Sequence, residues 1–305
     1  MPLTKTEKIW YNGKLIDWDK AQTHILTHAL HYGSGVFEGI RCYKTPKGPA
    51  VFRLKEHIRR LLESAKMYYM EVPYTQEQLE RAVKDTIKAN KIDACYIRPI
   101  IYRGYGEMGL NPLKAPVDVA IAVWPWGTYL GEDGLKNGIR VMVSSVQRFN
   151  SNIMPTKAKA TGQYINSILA KVQSLKAGYD EAILLDSRGM VSEGPGENIF
   201  LARDRILYTP AEHASLLMGI TRASVITIAK DLGYEVVESD VERGMLYTAD
   251  EVFFTGTAAE VTPIREIDGH VIGKPGPLTQ AIQKKFFKIV EGKDKKYENW
   301  LAYVK

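Results

Sequence analysis

The sequence predicts an α/β (α+β) protein of two domains, and three observations predict it. Segments with apolar residues at helical spacing and segments with apolar alternation follow one another along the whole chain. At 305 residues the chain is longer than one typical domain. Midway, Pro125-Trp126-Gly127-Thr128-Tyr129-Leu130-Gly131-Glu132-Asp133-Gly134 breaks all periodicity, and its glycine density marks a linker. We therefore assign residues 1–126 to a small N-terminal α/β domain, 127–137 to an interdomain loop and 138–305 to a larger second domain.

Trp10 to Ile16 is expected to form a hairpin with its turn at Asn12-Gly13. His24, His28 and His31 follow at helix-like spacing, but no carboxylate stands among them, so a structural role is expected rather than a metal site. The run His31-Tyr32-Gly33-Ser34-Gly35-Val36-Phe37-Glu38-Gly39-Ile40-Arg41 permits a tight backbone. It is not a phosphate loop, because no Gly-Lys-Ser/Thr follows. Glu56 to Met70 has the apolar face Ile58, Leu61, Leu62, Ala65 and Tyr69 of a helix, with Arg59 and Arg60 near its start. Thr75 is an N-cap for the next helix, and Gln78 completes a capping box. Cys95 to Tyr102 is a strand whose period of two puts Tyr96 and Arg98 on one face. Such a pair can clamp a carboxylate, and is equally an ordinary cross-strand neighbourhood. Val117 to Trp124 is a buried strand.

The second half opens with strand Ile139 to Val146. A turn-like run, Phe149 to Pro155, then leads to Ala158-Lys159-Ala160-Thr161-Gly162-Gln163-Tyr164. Lys159 thus stands at the mouth of a helix whose face is Ile165, Ile168, Leu169, Val172 and Leu175, ended by Gly178. A lysine held at an element boundary in aromatic company can be desolvated and act as a nucleophile toward a carbonyl, although most lysines are solvated surface charges. Glu181 to Asp186 is a strand, and Ile199–Ala202 with Arg205–Tyr208 forms a hairpin around Arg203-Asp204. Met218-Gly219-Ile220-Thr221-Arg222 opens a helix, and its glycine-led N-terminus suits an anion such as phosphate. Strand Glu251 to Phe254 runs into Thr255-Gly256-Thr257-Ala258-Ala259-Glu260, a turn of small residues able to donate to a phosphate or carboxylate. Val261 to Ile267 is a further strand and Leu278 to Val290 a closing helix.

Composition narrows the function. The chain is 45% hydrophobic and 25% charged, ordinary for a soluble globular protein, and no apolar run approaches a membrane span. A net charge of +6 with scattered lysines offers no basic stripe interleaved with aromatics to support nucleic-acid binding, and fits phosphorylated or carboxylated small molecules equally well, so no nucleic-acid partner is expected. Two cysteines and no signal-like start lead us to expect a reducing, cytoplasmic location.

Six segments together resemble one family, the class IV (fold type IV) pyridoxal-phosphate aminotransferases, and within it the branched-chain amino acid aminotransferases. They are Gly35-Val36-Phe37-Glu38-Gly39-Ile40-Arg41, Tyr96-Ile97-Arg98-Pro99, Lys159-Ala160-Thr161-Gly162-Gln163-Tyr164, Ser192-Glu193-Gly194 with Gly196-Glu197-Asn198, Gly219-Ile220-Thr221-Arg222, and Gly256-Thr257-Ala258-Ala259-Glu260-Val261-Thr262-Pro263. Each is weak alone; their order along the chain carries the resemblance. It implies that the second domain is a pseudo-barrel with pyridoxal 5'-phosphate in an interdomain cleft. It implies that Lys159 forms the Schiff base and moves protons, that Glu193 meets the pyridine nitrogen, and that Tyr164 meets the ring hydroxyl oxygen. Arg60, the N–H groups of Ile220 and Thr221, and Thr257 would hold the phosphate. Tyr32, Phe37, Met108, Trp126 and Tyr129 would wall the substrate pocket, with Arg98, Tyr32 and Tyr129 on the glutamate carboxylate. Tyr96 and the Thr257–Ala258 turn would take the α-carboxylate.

The implied reaction is ping-pong transfer of an amino group from leucine, isoleucine or valine to 2-oxoglutarate. A homodimer or higher homo-oligomer is expected from the family, with residues around Met108 near the neighbouring subunit's site. A D-amino acid aminotransferase or aminodeoxychorismate lyase of the same fold would keep Lys159 and Glu193, but not Tyr96-x-Arg98 together with Glu38-Gly39-Ile40-Arg41. A non-catalytic ligand-binding protein would have no use for intact Lys159, Glu193, Arg60 and Tyr164. Thr161, Gln163 and Trp124 stand where members of the family vary, which leaves the substrate range open.

Overall fold

A computed structural model describes residues 3–127 and 129–304; Thr128 of the expected loop lies outside them. The chain divides into two compact units. One comprises residues 1–126, 158–163 and 288–305, the other 127–157 and 164–287. The segments 158–163 and 288–305, which the sequence reading places in the second domain, therefore count with the first unit. They are held there by pairing with distant strands, which leaves no local signal.

In the first unit, β1 (Lys8–Tyr11) and β2 (Lys14–Asp17) form the expected hairpin. Asn12 and Gly13 take positive φ values of 45° and 89°, as a tight hairpin turn requires. There follow α1 (His28–Tyr32), β3 (Gly35–Phe37), β4 (Ile40–Thr45), β5 (Gly48–Phe52), α2 (Leu54–Met67), α3 (Gln76–Ala89), β6 (Cys95–Arg103) and β7 (Val117–Trp124). The Thr75–Gln78 capping box at the head of α3 is present in both directions. The sheet runs Leu301–Tyr303, β5, β4, β6, β7, β1, β2, with β3 also on β6. Ile97 and Ile101 of β6 and Val119, Ile121 and Val123 of β7 join Ile58 and Leu61 of α2 and Val83 and Ile87 of α3 in one core. Alternation then puts Tyr96, Arg98 and Trp124 on the sheet face away from that core, with Tyr96 directly opposite Trp124. The three histidines do not share a helix. His28 is buried and binds Ser34 Oγ (2.6 Å) and the Gly109 carbonyl (2.9 Å), while His31 binds the Ile25 carbonyl.

The second unit contains α4 (Gly131–Asn137), β8 (Ile139–Val143), α5 (Tyr164–Lys176), β9 (Glu181–Leu185), β10 (Val191–Glu193), β11 (Asn198–Arg203), β12 (Ile206–Pro210), α6 (Ile220–Asp231), β13 (Glu235–Ser239), α7 (Arg243–Tyr247), β14 (Glu251–Gly256), β15 (Glu260–Ile267), β16 (His270–Val271) and most of α8 (Pro277–Val290). Its sheet runs β10, β9, β8, β15, β14, β11, β12, β13, with β16 on β15. The pairs β8–β9, β8–β15 and β12–β13 are parallel, so the sheet is mixed.

Two helices of the second unit, α4 and α5, differ from expectation. The expected loop 127–137 contains α4, and Gly134 within it serves packing: a Cβ there would lie 2.7 Å from Ile139 Cγ2. The helix is too short to show periodicity. On α5 the inward residues are the small Ser167, Ala170 and Ser174, whereas Ile165, Ile168, Leu169, Val172 and Leu175 are exposed.

Candidate active site

In the first unit Lys159 is fixed from both sides. Its N–H donates to Ser64 Oγ (3.0 Å), and its carbonyl accepts from the Phe37 N–H (2.9 Å). Ala160 makes a β-bridge to Val36, and Thr161 Oγ1 donates to the carbonyls of Gly33 and Gly35. Gly33 takes φ of 62°, and a Cβ there would lie 2.7 Å from Gly162 Cα. The glycines of both motifs therefore let the lysine segment lie against β3. Lys159 Nζ rests over the Phe37 ring, 5.1 Å from its centroid.

The same ring receives Arg98, whose guanidinium carbon is 4.7 Å from the Phe37 centroid, 5.5 Å from Tyr96 and 5.9 Å from Trp124. Trp126 packs on Tyr96 at 5.1 Å and meets Trp124 edge-on at 6.1 Å. Arg98 Nε and the indole nitrogens of Trp124 and Trp126 are buried without hydrogen-bond partners. Three donors and no acceptor suit a carboxylate. Tyr32 ends α1 with its ring 4.6 Å from His28, and Met108 lies between β6 and β7; both are exposed.

Arg60, on α2, is bound to Glu38 through Nε (2.6 Å) and Nη2 (2.9 Å), and His57 Nδ1 lies 2.7 Å from Glu38 Oε2. Burial alone would push the Glu38 carboxyl up. Arg60 and then His57 outweigh it and hold the group well below the usual carboxylate range. Burial pushes the His57 imidazole down despite Glu38. A carboxylate only accepts, so neutral His57 donates from Nδ1. The Glu38 and His57 side chains were not singled out from sequence. Glu38 stands within the Gly35–Arg41 motif, but nothing local pairs it with a helix 19 and 22 residues on.

In the second unit Glu193, at the end of β10, is 6% exposed. Its Oε1 meets Arg148 Nε at 2.9 Å, and its Oε2 accepts from the Leu217 N–H (3.0 Å) and Asn198 Nδ2 (3.3 Å). Arg148 is itself buried, its guanidinium 4.2 Å from the Phe149 centroid. Sequence reasoning missed Arg148, which sits in an aperiodic run 45 residues before its partner.

Helix α6 starts at Ile220 with Gly219 as N-cap and no side-chain cap, so Ile220 and Thr221 carry first-turn N–H groups at the positive end of the dipole. Gly219 is sterically required, since a Cβ would run into Asn198 Oδ1. Thr257 and Ala258 form the turn between β14 and β15. Tyr164 opens α5, and Tyr129 has the Lys171 ammonium 5.6 Å from its ring centroid.

Residues 35–267 match the amino-transferase class IV family. The chain is 48% identical to the branched-chain-amino-acid aminotransferase of Pseudomonas aeruginosa, over 97% of each chain. It superimposes on the crystal structure of the Escherichia coli branched-chain amino acid aminotransferase with a TM-score of 0.97 at 47% identity, covering 99% of this chain and 100% of that one. It is also similar, at 50% identity, to the T.th. branched-chain amino acid aminotransferase. That protein is known with pyridoxamine 5'-phosphate (TM-score 0.96, 99% of each chain) and with N-(5'-phosphopyridoxyl)-L-glutamate (TM-score 0.94, 99% of each chain).

Proposed function

The chain belongs to the amino-transferase class IV family, and from that premise we propose that it is a pyridoxal-phosphate enzyme moving amino groups between branched-chain L-amino acids and 2-oxoglutarate. The observation that carries the reading is Lys159, locked by its own backbone against β3 with its amine over Phe37. The donor set fits the cofactor: an α6 N-terminus without a side-chain cap suits a phosphate, and buried Glu193 suits a protonated ring nitrogen.

When bound, pyridoxal phosphate supplies an electron sink for the pair left at the substrate α-carbon. Lys159 would be the attachment point and, once released by substrate, the base that takes the α-proton and delivers it to the cofactor's C4′ carbon. Glu193, aimed by Arg148, Asn198 and the Leu217 N–H, keeps the ring nitrogen protonated. Tyr164 donates to the ring oxygen. Arg60, Ile220, Thr221 and Thr257 hold the phosphate; Glu38 fixes the orientation of the Arg60 guanidinium. Arg98, with Tyr32 and Tyr129, receives the side-chain carboxylate of glutamate, while Phe37, Met108 and Trp126 wall the aliphatic substrates. Tyr96, Thr257 and Ala258 take the α-carboxylate.

Arg98 answers the problem of two unlike substrates. Its charge lies on aromatic faces that leucine can share, so an empty carboxylate seat does not strand a bare cation. The exposed apolar face of α5 supports a homo-oligomer. Among the described residues no helix is long and apolar enough to cross a membrane. Two free, buried thiols, Cys42 and Cys95, support a cytoplasmic location.

The test is spectroscopic. Protein loaded with pyridoxal phosphate is expected to show a visible band that borohydride abolishes and that Lys159→Ala lacks. L-leucine converts the cofactor and D-alanine does not. A reducible band in Lys159→Ala refutes the role of the lysine; turnover of D-alanine with none of L-leucine refutes the substrate.

A further inference from the structure

Glu197 is a buried carboxyl that the reaction above does not use. It lies between Glu193 and Asn198 in the chain, at the head of β11, and it braces the turn that precedes it. Its Oε2 accepts from the Gly196 N–H at 3.0 Å, and its carbonyl accepts from the Gly194 N–H at 2.7 Å. The turn is built around this carboxyl: a Cβ on Gly194 would lie 2.7 Å from Glu197 Oε2. Gly256, the last residue of β14, is packed on the other side. A Cβ there would lie 3.2 Å from the Gly196 carbonyl oxygen and 3.6 Å from Glu197 Cγ. One side chain thus touches the turn after Glu193 and the residue before Thr257.

We propose that Glu197 is a positioning residue of the active site, its carboxyl setting the Gly194–Gly196 turn and through it both Glu193 and the Gly256–Thr257 turn. The role rests on the reading of Glu193 and Thr257 as cofactor-holding residues. The carboxyl is 4% exposed. The charged groups acting on it are Glu181 from β9, Lys171 from α5 and Glu193 from β10. Glu181 is fully buried and paired to Lys171 at 2.7 Å, so that ammonium is already engaged. Burial first, then Glu181, push the Glu197 carboxyl up to about 8, against the Gly196 N–H and Lys171. Burial and the neighbouring carboxylates thus favour the protonated form of Glu197 near neutral pH. It adds no second negative charge beside Glu193, whose carboxylate is matched by Arg148. Ionised, it would place a second negative charge beside Glu193, and we expect the two turns to be disturbed.

The folded state holds a proton that the unfolded chain releases above the ordinary carboxyl value of 4.5, so this contribution to stability is lost as pH rises through about 8. The experiment compares wild type with Glu197→Gln, which has the shape of the protonated acid. The melting temperature of the apoprotein from pH 6 to 9 is measured alongside pyridoxal-phosphate affinity by titration. Wild type is expected to lose more melting temperature over that range than the variant. Its Kd is expected to rise by about tenfold at pH 9, the ratio of ionised to protonated acid one unit above the pKa, while the variant's Kd rises less. Parallel pH curves for the two proteins in both measurements overturn the inference and leave the functional reading intact. If wild type binds no pyridoxal phosphate at any pH, the functional reading fails and takes the positioning role with it, whatever the melting curves show.

Discussion

Glu38 carries its charge where water does not reach. Its side chain is fully buried, and Arg60 and His57 are its solvation. A pair so placed contributes little net stability over an apolar substitute, but removing one partner strands the other. Glu38→Gln leaves the Arg60 guanidinium without its counter-ion. We expect a loss of about 3–5 kcal/mol in chemical unfolding. We also expect the variant to bind pyridoxal phosphate more weakly, because an amide can accept only one of the two bonds by which Glu38 orients Arg60. Because the folded Glu38 carboxyl titrates far below its ordinary value of 4.5, its stabilisation is complete above that value and is lost as pH falls below it. The variant's stability should accordingly fall less steeply than that of wild type on acidification, which urea midpoints between pH 6 and 3 will measure. Most of the proposed site at this scale was legible in the sequence, because Lys159, Glu193 and Gly219 sit in compact motifs. The residues that aim them were not. Arg148 and His57 act across the fold, and a lone arginine or histidine in a chain carries no mark of its partner.

The strands and helices were legible wherever their period ran long enough. The two-residue alternation in β6 separates Tyr96 and Arg98 from Ile97 and Ile101, and the capping box of α3 is set by four consecutive residues. A short helix that carries glycine was not legible, because a glycine chosen for close packing looks like one chosen for a turn. Gly134 hides α4 in this way. Gly39, between β3 and β4, is the functional counterpart: a Cβ there would run into the Tyr96 hydroxyl. Tyr96 is wedged between Trp124 and Trp126, with ring centroids 5.3 and 5.1 Å away, so it cannot swing aside freely. Overpacking of this kind costs about 1–3 kcal/mol. Gly39→Ala should therefore raise KM for both amino acid and 2-oxo acid by roughly tenfold, since about 1.4 kcal/mol is a factor of ten. Its affinity for pyridoxal phosphate should remain that of wild type. A proportional loss of cofactor binding would mean instead that the whole strand had shifted.

At the scale of the molecule, α5 is inside out for an isolated chain. Ile165, Ile168, Leu169 and Val172 stand at i, i+3, i+4 and i+7, the spacing of a core-facing stripe, yet they are 61%, 52%, 55% and 42% exposed. Small Ser167, Ala170 and Ser174 face inward instead, letting the helix lie close to β9 through Ala170, Ala182 and Leu184. From sequence this stripe is indistinguishable from a core face, because burial by a neighbouring molecule and burial by the same chain impose one pattern. A stripe of that size left to water favours association. A second copy of the chain would present the same face and could close an interface about a two-fold axis without leaving an edge. Leu169→Glu places a charge at the centre of the stripe. It is expected to reduce the particle measured by light scattering toward the 34.3 kDa of one chain, with helical and sheet content unchanged by circular dichroism. A variant that keeps the assembly size of wild type would remove α5 from the interface. A wild-type particle of 34.3 kDa would remove the interface altogether.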